Sequence, residues 1–245
     1  MAEPTGDLRR TAPETVEVGG IRLAFTTVGP PTGEPVVLLH ALGESATDWD
    51  TVAADLATHE RRVYALDLRG HGRSDRPKEY SLELMRTDVL GFLDARGLTA
   101  VDLIGHSLGG IVAHLLAQHS PHRVRRLILE DVPAPRPREP HVPPRPPGPL
   151  DFDWDMVLAV REQLDTPDPA WLDGLAGITA RTLVVSGGPD SPMPPDAVAE
   201  LAHRIPGARH VTIPAGHLIH RTAPDEFIDT VIGFLDGALD EDPVQ

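Results

Sequence analysis

Val101-Asp102-Leu103-Ile104-Gly105-His106-Ser107-Leu108-Gly109-Gly110-Ile111-Val112 is the stretch on which the reading of this chain turns. Val101–Ile104 is a short apolar run of the kind that forms a buried strand, and Leu108–His119 has the pattern of a helix. Between them a serine occupies a strand-to-helix turn within Gly-x-Ser-x-Gly. So tight a turn forces the serine into a strained backbone conformation, and its neighbours two residues away must be nearly free of side chain. Gly105 and Gly109 meet that demand. The helix start also sets unpaired backbone N–H groups and a partial positive charge beside Ser107, where a developing oxyanion would form.

Outward from this turn the same rhythm repeats. Glu14–Val18 and Ile21–Val28 alternate in polarity and meet at Gly19-Gly20, a hairpin signal. Continuous apolar runs follow at Pro35–His40, Arg62–Leu66, Ala100–Gly105, Arg125–Glu130, Arg181–Ser186 and Ala208–Ile213. Strands buried on both faces have this composition. The amphipathic stretches between them are Asp48–Thr58, Ser81–Arg96, Leu108–His119, Pro194–Arg204 and Ala223–Leu239. Ser81 suits an N-cap, Thr222 with Asp225 resembles a capping box, and Asp196 suits a first helical turn. The pattern predicts an α/β fold: a doubly wound, mostly parallel sheet with an antiparallel N-terminal hairpin. Ligands of such sheets bind beyond the carboxyl ends of the strands.

One segment interrupts the alternation. Pro133–Pro149 holds nine of the 26 prolines and is excluded from helix and central strand. Two short helices are expected after it, at Asp155–Leu164 and Pro169–Leu175. The division that follows is a core of residues 1–132 and 179–245, with a short cap, 133–178, inserted after the sixth main strand. The tail Asp240–Gln245 is acidic and is expected to fray.

Composition narrows the function. At 245 residues the length is that of one domain, and the net charge of −15 disfavours nucleic acid as a partner. No window is long and apolar enough for a membrane span, and Met1–Asp7 lacks the apolar region of a secretory signal, so a cytoplasmic location is expected. With no cysteine, disulfides, thiolate metal sites and a cysteine nucleophile are excluded. His217 and His220 form H-x-x-H, but no carboxylate or thiolate spacing of a known metal site accompanies them, and no metal is expected.

Five motifs in order carry a family resemblance: Leu38-Leu39-His40-Ala41-Leu42-Gly43, Asp67-Leu68-Arg69-Gly70-His71-Gly72-Arg73-Ser74, the Ser107 turn, Gly187-Gly188-Pro189-Asp190, and Gly216-His217 with His220 and Pro224. From about Val16 to Leu235, the cap excepted, the chain resembles the α/β-hydrolase superfamily, in its serine-nucleophile, esterase-like branch. The resemblance implies Ser107 as nucleophile, His217 as base with His220 as competitor, and Asp190 as orienting acid. Asp131 is the rival acid, since some members carry it after the preceding strand. The order Ser107, Asp190, His217 is the one this fold uses.

The oxyanion hole is expected from the N–H of Leu108 and, by resemblance, of Leu42. The family usually has Gly where this chain has Ala41, and Ala does not readily take a positive φ. His40, His71 and His106 and the charges of Asp67–Asp75 are assigned structural roles. Phe152, Trp154, Met156 and Trp171 are candidate walls of a substrate pocket.

A serine in place of an aspartate points to acyl transfer, on an ester, lactone, thioester or amide of small size, with no cofactor. Alternatives on the same triad are a proline-type aminopeptidase, with Asp151, Asp153 and Asp155 as amine ligands, a carbon–carbon bond hydrolase and a cofactor-free haloperoxidase. A non-catalytic small-ligand receptor is the alternative of another class. A monomer or homodimer is expected.

Overall fold

The structure, a computed structural model, describes residues 11–238. The acidic tail therefore lies outside the described residues, as does Leu239. Eight strands form one sheet: β1 (Glu14–Val18), β2 (Ile21–Val28), β3 (Glu34–Leu39), β4 (Arg61–Leu66), β5 (Val101–His106), β6 (Val124–Glu130), β7 (Arg181–Ser186) and β8 (Arg209–Thr212). Their spatial order is β1-β2-β4-β3-β5-β6-β7-β8. β1 pairs antiparallel with β2 and β2 with β4, and every pairing from β4 to β8 is parallel. The entry hairpin turns on Gly19 and Gly20, with φ of 55° and 85°, the two left-handed residues that a two-residue turn of this hand requires.

The strand period of two sorts the central side chains into two cores. Val37, Leu39, Leu103, Leu127 and Leu129 face α2 (Leu82–Ala95), α3 (Leu108–His119) and α6 (Pro195–Arg204). Val36, Leu38, Ile104, Ile128, Leu183 and Val185 face α1 (Asp50–Thr58) and α8 (Pro224–Leu235). The sheet is thus covered on both faces, as its near-continuous apolar strands require. No helix of the described residues is long and apolar enough to cross a membrane.

Element boundaries shift by a few residues from expectation, and two local readings differ in kind. Ser81 caps α2 by accepting from the Leu84 N–H, as expected. The capping box at Thr222 does not form. Thr222 instead ends a short helix, α7 (Ile219–Thr222), and Ala223 precedes α8 with no side-chain cap. Asp48 and Trp49 lie in a 3-10 turn, Ala46–Trp49, that leads into α1.

The β6–β7 connection carries α4 (Trp154–Asp165) and α5 (Pro169–Asp173), followed by a 3-10 turn at Gly174–Gly177. The proline run before α4 has no regular structure. Its backbone is held at both ends. Arg138 N–H donates to Asp165 O at 3.0 Å, and Gly72 N–H to Asp151 O at 2.9 Å. Asp153 N–H donates to Gly70 O at 2.7 Å, so the stretch 151–153 lies beside the loop that follows β4.

Candidate active site

β5 ends between β3 and β6, and Ser107 follows it directly. Its backbone has φ 49° and ψ −114°, one of three non-glycine residues with positive φ among those described. A conformation of this kind costs about 1–3 kcal/mol and persists only when its surroundings enforce it. The enforcement is visible in the glycines. A Cβ on Gly105 would lie 2.5 Å from Gly109 O, and one on Gly109 would lie 2.2 Å from Leu39 O. Ser107 N–H donates to Glu130 O at 3.0 Å and Gly109 N–H to His40 O at 3.1 Å, pinning the turn to the strands on either side.

The two expected oxyanion donors are the N–H groups of Leu108 and Leu42. Leu108 begins α3 and Leu42 lies in the loop after β3, and neither N–H donates to a protein acceptor among the described residues. Ala41 causes no strain, because the left-handed residue of this loop is Gly43, at φ 84°. Two buried imidazoles brace the loop. His71 Nε2 accepts from Gly43 N–H at 3.1 Å, and its Nδ1 pairs with Arg69 O. His40 Nε2 accepts from Leu68 N–H at 3.0 Å, and its Nδ1 pairs with Ala41 O. Accepting at Nε2 requires neutral rings, and burial supplies them, pushing His40 down to about 4 and His71 to about 3. Asp67 accepts from Ala46 and Arg73 N–H groups, which ties the loops together. The structural roles assigned to these motifs agree with these contacts.

His217 follows Gly216 in the loop after β8, and its ring centroid lies 4.6 Å from that of His106, the residue before Ser107. Its Nδ1 bonds to Asp131 Oδ2 at 2.6 Å. The acid partner of this imidazole is therefore Asp131, at the end of β6, and not Asp190. Asp190 is exposed in a 3-10 turn after β7. The cause is the packing between the two loops. Gly216 N–H donates to Gly187 O at 3.0 Å, and a Cβ on Gly187 would lie 2.0 Å from Gly216 O. Gly187 N–H in turn donates to Asp131 Oδ1 at 2.9 Å, and Ser191 Oγ donates to Asp131 Oδ2. The loop after β7 thus supplies donors to the carboxylate, whereas Asp131 supplies the acceptor. Asp131 has φ 51°, a left-handed conformation that aspartate tolerates better than most residues. Among the described residues Ser107 Oγ makes no hydrogen bond to His217, whose Nδ1 bonds Asp131; nucleophile–base contacts of this kind often tighten only in the complex with substrate.

His220 does not compete for the serine. It is 2% exposed, its Nδ1 and N–H bind the Glu130 carboxylate, and its Nε2 lies 3.2 Å from Asp48 Oδ2. Asp48, His106 and His220 bring ligand-type atoms within 4.8 Å of one another. Burial opposes charge on His220, but the two carboxylates outweigh it and raise its pKa to about 9. In that protonated form Nδ1 donates to Glu130, while Nε2 lies near Asp48 Oδ2 without a hydrogen bond. The same charge and Arg221 hold Asp48 below the usual carboxylate range despite its burial. His217 and His220 face different partners, so they form no H-x-x-H metal pair.

The four pocket candidates separate. Phe152 is partly buried, 3.3 Å from where a Cβ on Gly43 would sit, and its ring faces His71. It therefore borders the Leu42–Gly43 loop. Trp154 is partly buried against the core. Met156 is fully buried against Gly70, and Trp171 is a core residue whose carbonyl accepts from Gln118 Nε2. Gln118 is at the far end of α3, roughly 15 Å from its start at 1.5 Å per residue. The Trp171 carbonyl is thus tied to the end of α3 opposite Ser107. Among the acidic residues considered as amine ligands, Asp153 accepts from Tyr80 Oη at 2.6 Å and from Asp155 N–H, so its oxygens are already engaged.

Comparison with known proteins agrees with this architecture. The chain is 31% identical to the 2-hydroxy-6-oxo-2,4-heptadienoate hydrolase of Pseudomonas putida, over 90% of this chain and 95% of that one. A thermophilic esterase from Thermogutta terrifontis superposes with a TM-score of 0.77 at 26% identity, covering 93% of this chain and 98% of that one. The enol-lactonase of Burkholderia xenovorans LB400 gives 0.75 at 26% identity, with coverage of 91% and 100%. Residues 34–162 match the family model described as alpha/beta hydrolase fold, and with the full-length relative this establishes that the chain belongs to the α/β-hydrolase fold family.

Proposed function

We propose that the protein is a serine hydrolase of small carboxylic esters or related acyl compounds, with Ser107 as nucleophile, His217 as base and Asp131 as orienting acid. The observation that carries this reading is the His217 Nδ1–Asp131 bond at 2.6 Å beside a serine held in a left-handed turn. With Nδ1 protonated and directed at the carboxylate, His217 Nε2 keeps a lone pair that can take the Ser107 proton.

Ser107 Oγ attacks the acyl carbonyl as its proton passes to His217 Nε2. The carbonyl oxygen gains the negative charge, and the Leu42 and Leu108 N–H groups are free to donate to it. One such donor lowers the barrier by about 3–4 kcal/mol. The tetrahedral adduct collapses, the alkoxide leaves with the proton from His217, and an ester now joins the acyl group to Ser107. Water then attacks this ester and gives a proton to His217; the second adduct collapses by breaking the bond to Ser107 Oγ, which takes that proton back from His217 as the acid is released. Asp131 accepts from His217 Nδ1–H throughout and stabilises the imidazolium. The partly buried Phe152 beside the oxyanion loop suits an apolar acyl group. The β6–β7 connection, 133–178, is the segment that covers the site in this reading.

A panel of short-chain aryl esters tests the proposal. Wild type is expected to hydrolyse at least one, Ser107→Ala none, and an organophosphonate is expected to label Ser107 by mass spectrometry. Undiminished hydrolysis by Ser107→Ala refutes it. A second reading, a carbon–carbon bond hydrolase on the same triad, is favoured by the Pseudomonas putida relative. Turnover of a 2-hydroxy-6-oxo-dienoate with no turnover of esters selects it.

A further inference from the structure

Two adjacent acids at the end of β6, Glu130 and Asp131, hold two histidines three residues apart, His220 and His217. Only the second pair enters the chemistry proposed above. The first is completely buried: His220 and Glu130 have side chains 1% and 0% exposed. Glu130 makes two attachments of its own, and its neighbour makes a third. Its main-chain oxygen holds Ser107 N–H at 3.0 Å. Its chain neighbour is the acid that holds His217. Its carboxylate takes both His220 N–H, at 2.9 Å, and His220 Nδ1, at 2.8 Å from Oε2.

His220 is gripped from every element packed on it. Asp48 faces Nε2 from the turn before α1, Trp49 stacks on the ring at 4.3 Å and 25°, and His106 of β5 lies 5.3 Å away. Phe227 of α8 completes the enclosure at 6.1 Å, and Arg221 reaches Asp48 Oδ1 at 3.2 Å. The buried charges are two carboxylates and one imidazolium, and the half-exposed Arg221 guanidinium is shared between Asp48 and Glu44. Burying such a set is costly, and a merely apolar filling would stabilise the core as well or better. The arrangement therefore needs a reason other than stability, and its attachments supply one. The loop carrying His217 is otherwise tied to the loop after β7, through Gly216 N–H on Gly187 O, and reaches β6 through the His217–Asp131 bond.

We propose that Glu130 and His220 are positioning residues: a buried ion pair that fixes the base-bearing loop against β6, so that His217 meets Asp131 and Ser107 in one geometry. This inference rests on the proposed triad, and it acts through His217 rather than on substrate. The rise of the His220 pKa to about 9 keeps its ring protonated across the neutral range.

The test uses the full chain and the variants Glu130→Gln, His220→Gln and the double variant, which replaces the ion pair by two amides. Against an aryl ester turned over by wild type, each single variant is expected to lose about 10–100-fold in kcat with KM little changed, the size of a small misplacement of a catalytic group. In Glu130→Gln, His220 loses its main anion and titrates near or below about 6.5, so kcat gains a falling limb above that pH. His220→Gln, which cannot titrate there, lacks the limb. The double variant is expected to lose less than the product of the two single losses.

A second readout does not depend on turnover: the low-field N–H proton resonance of the His217–Asp131 bond, sharp in wild type and broadened or lost in the single variants. If both single variants fail to fold, nitrogen resonances of wild type decide, since His220 must remain an imidazolium up to pH 8. Folded single variants with the wild-type kcat profile and an unchanged low-field resonance overturn the proposal. A neutral His220 at pH 7, or one equivalent of bound zinc in place of its proton, overturns it equally. A wild type inactive on all esters sinks the esterase reading and leaves the resonance test standing.

Discussion

Replacing Asp131 by Asn separates the two acids more sharply than any other change. The Asp131 side chain is 0% exposed and accepts from His217 Nδ1, Gly187 N–H and Ser191 Oγ. All three are donors, so an ionised carboxylate satisfies them and an amide cannot. Asn has one oxygen, and its NH2 must face either His217 Nδ1 or the Gly187 N–H. If it faces His217, the ring is driven to the other tautomer, with its proton on Nε2 and no lone pair toward Ser107. Asn also tolerates the φ of 51° at this position, so the backbone is retained and the loss is chemical. The expected fall in kcat is about 10⁴-fold, equivalent to about 5.5 kcal/mol of barrier. Asp190→Asn, at an exposed position, is expected to stay within about 2-fold of wild type, since surface substitutions are usually near neutral. Steady-state kinetics on one ester, with circular dichroism to verify folding, makes the comparison. A larger loss in Asp190→Asn than in Asp131→Asn would refute the assignment of the acid.

Other expectations are independent of it. Ser107→Gly removes the side chain from a left-handed turn and is expected to abolish turnover while raising stability by about 1–2 kcal/mol in urea unfolding. Gly109→Ala forces a Cβ to 2.2 Å from Leu39 O, and the variant is expected to be insoluble or inactive, scored by soluble yield and turnover. Trp171→Ala is expected to cost about 3–5 kcal/mol of stability with kcat unchanged at a temperature where it stays folded, since its carbonyl partner is at the far end of α3. Stability should also fall at both pH extremes. His220, raised to about 9 in the folded chain, contributes below its unfolded value of about 6.5, and this contribution is lost as pH rises through 9. It amounts to about 3 kcal/mol in order of magnitude, and His220→Gln should flatten the loss in unfolding curves taken between pH 7 and 10. His40, His71 and His114 are buried neutral, so their contribution declines as pH drops below about 6.5.

The fold was legible because its determinants are local in sequence. Each strand is a short apolar run that must be buried on both faces, and the glycines of the Ser107 turn are required by contacts within a few residues or across one neighbouring strand. The Leu108 N–H was legible as a free donor for the same reason, since helix geometry leaves it without an intrahelical partner wherever a helix starts. What escaped the sequence is long-range. His217 could be placed by its loop, but its partner depends on which of two carboxylates the sheet brings to its Nδ1, across 86 residues. Asp131 and Asp190 each follow a strand, and each lies near small or turn-forming residues. The deciding contacts are between backbones: Gly187 against Gly216, and Gly187 N–H on Asp131 Oδ1. Spacing within the chain carries no record of them.

Glu130 and Asp48 escaped for a related reason. A glutamate ending an apolar strand looks like a solvated terminus, and an aspartate before a helix looks like a cap. Both are buried because His220 stands between them. A sequence signal did exist, since Glu130-Asp131 faces a His-x-x-His pair, two acids for two bases. On adjacent strand-end residues, side chains emerge on opposite faces, and the left-handed Asp131 breaks that alternation. Both carboxylates can then serve one loop. The same positive φ that hides the acid from a reading of strand periodicity is what lets the sheet assemble the pair. A substitution at 131 that cannot hold this φ, such as Asp131→Val, should therefore disturb His220 as well as His217. Asp131→Asn should disturb His217 alone. Imidazole resonances of the two histidines, followed in both variants, check this, and a His220 signal unchanged in Asp131→Val would refute the coupling.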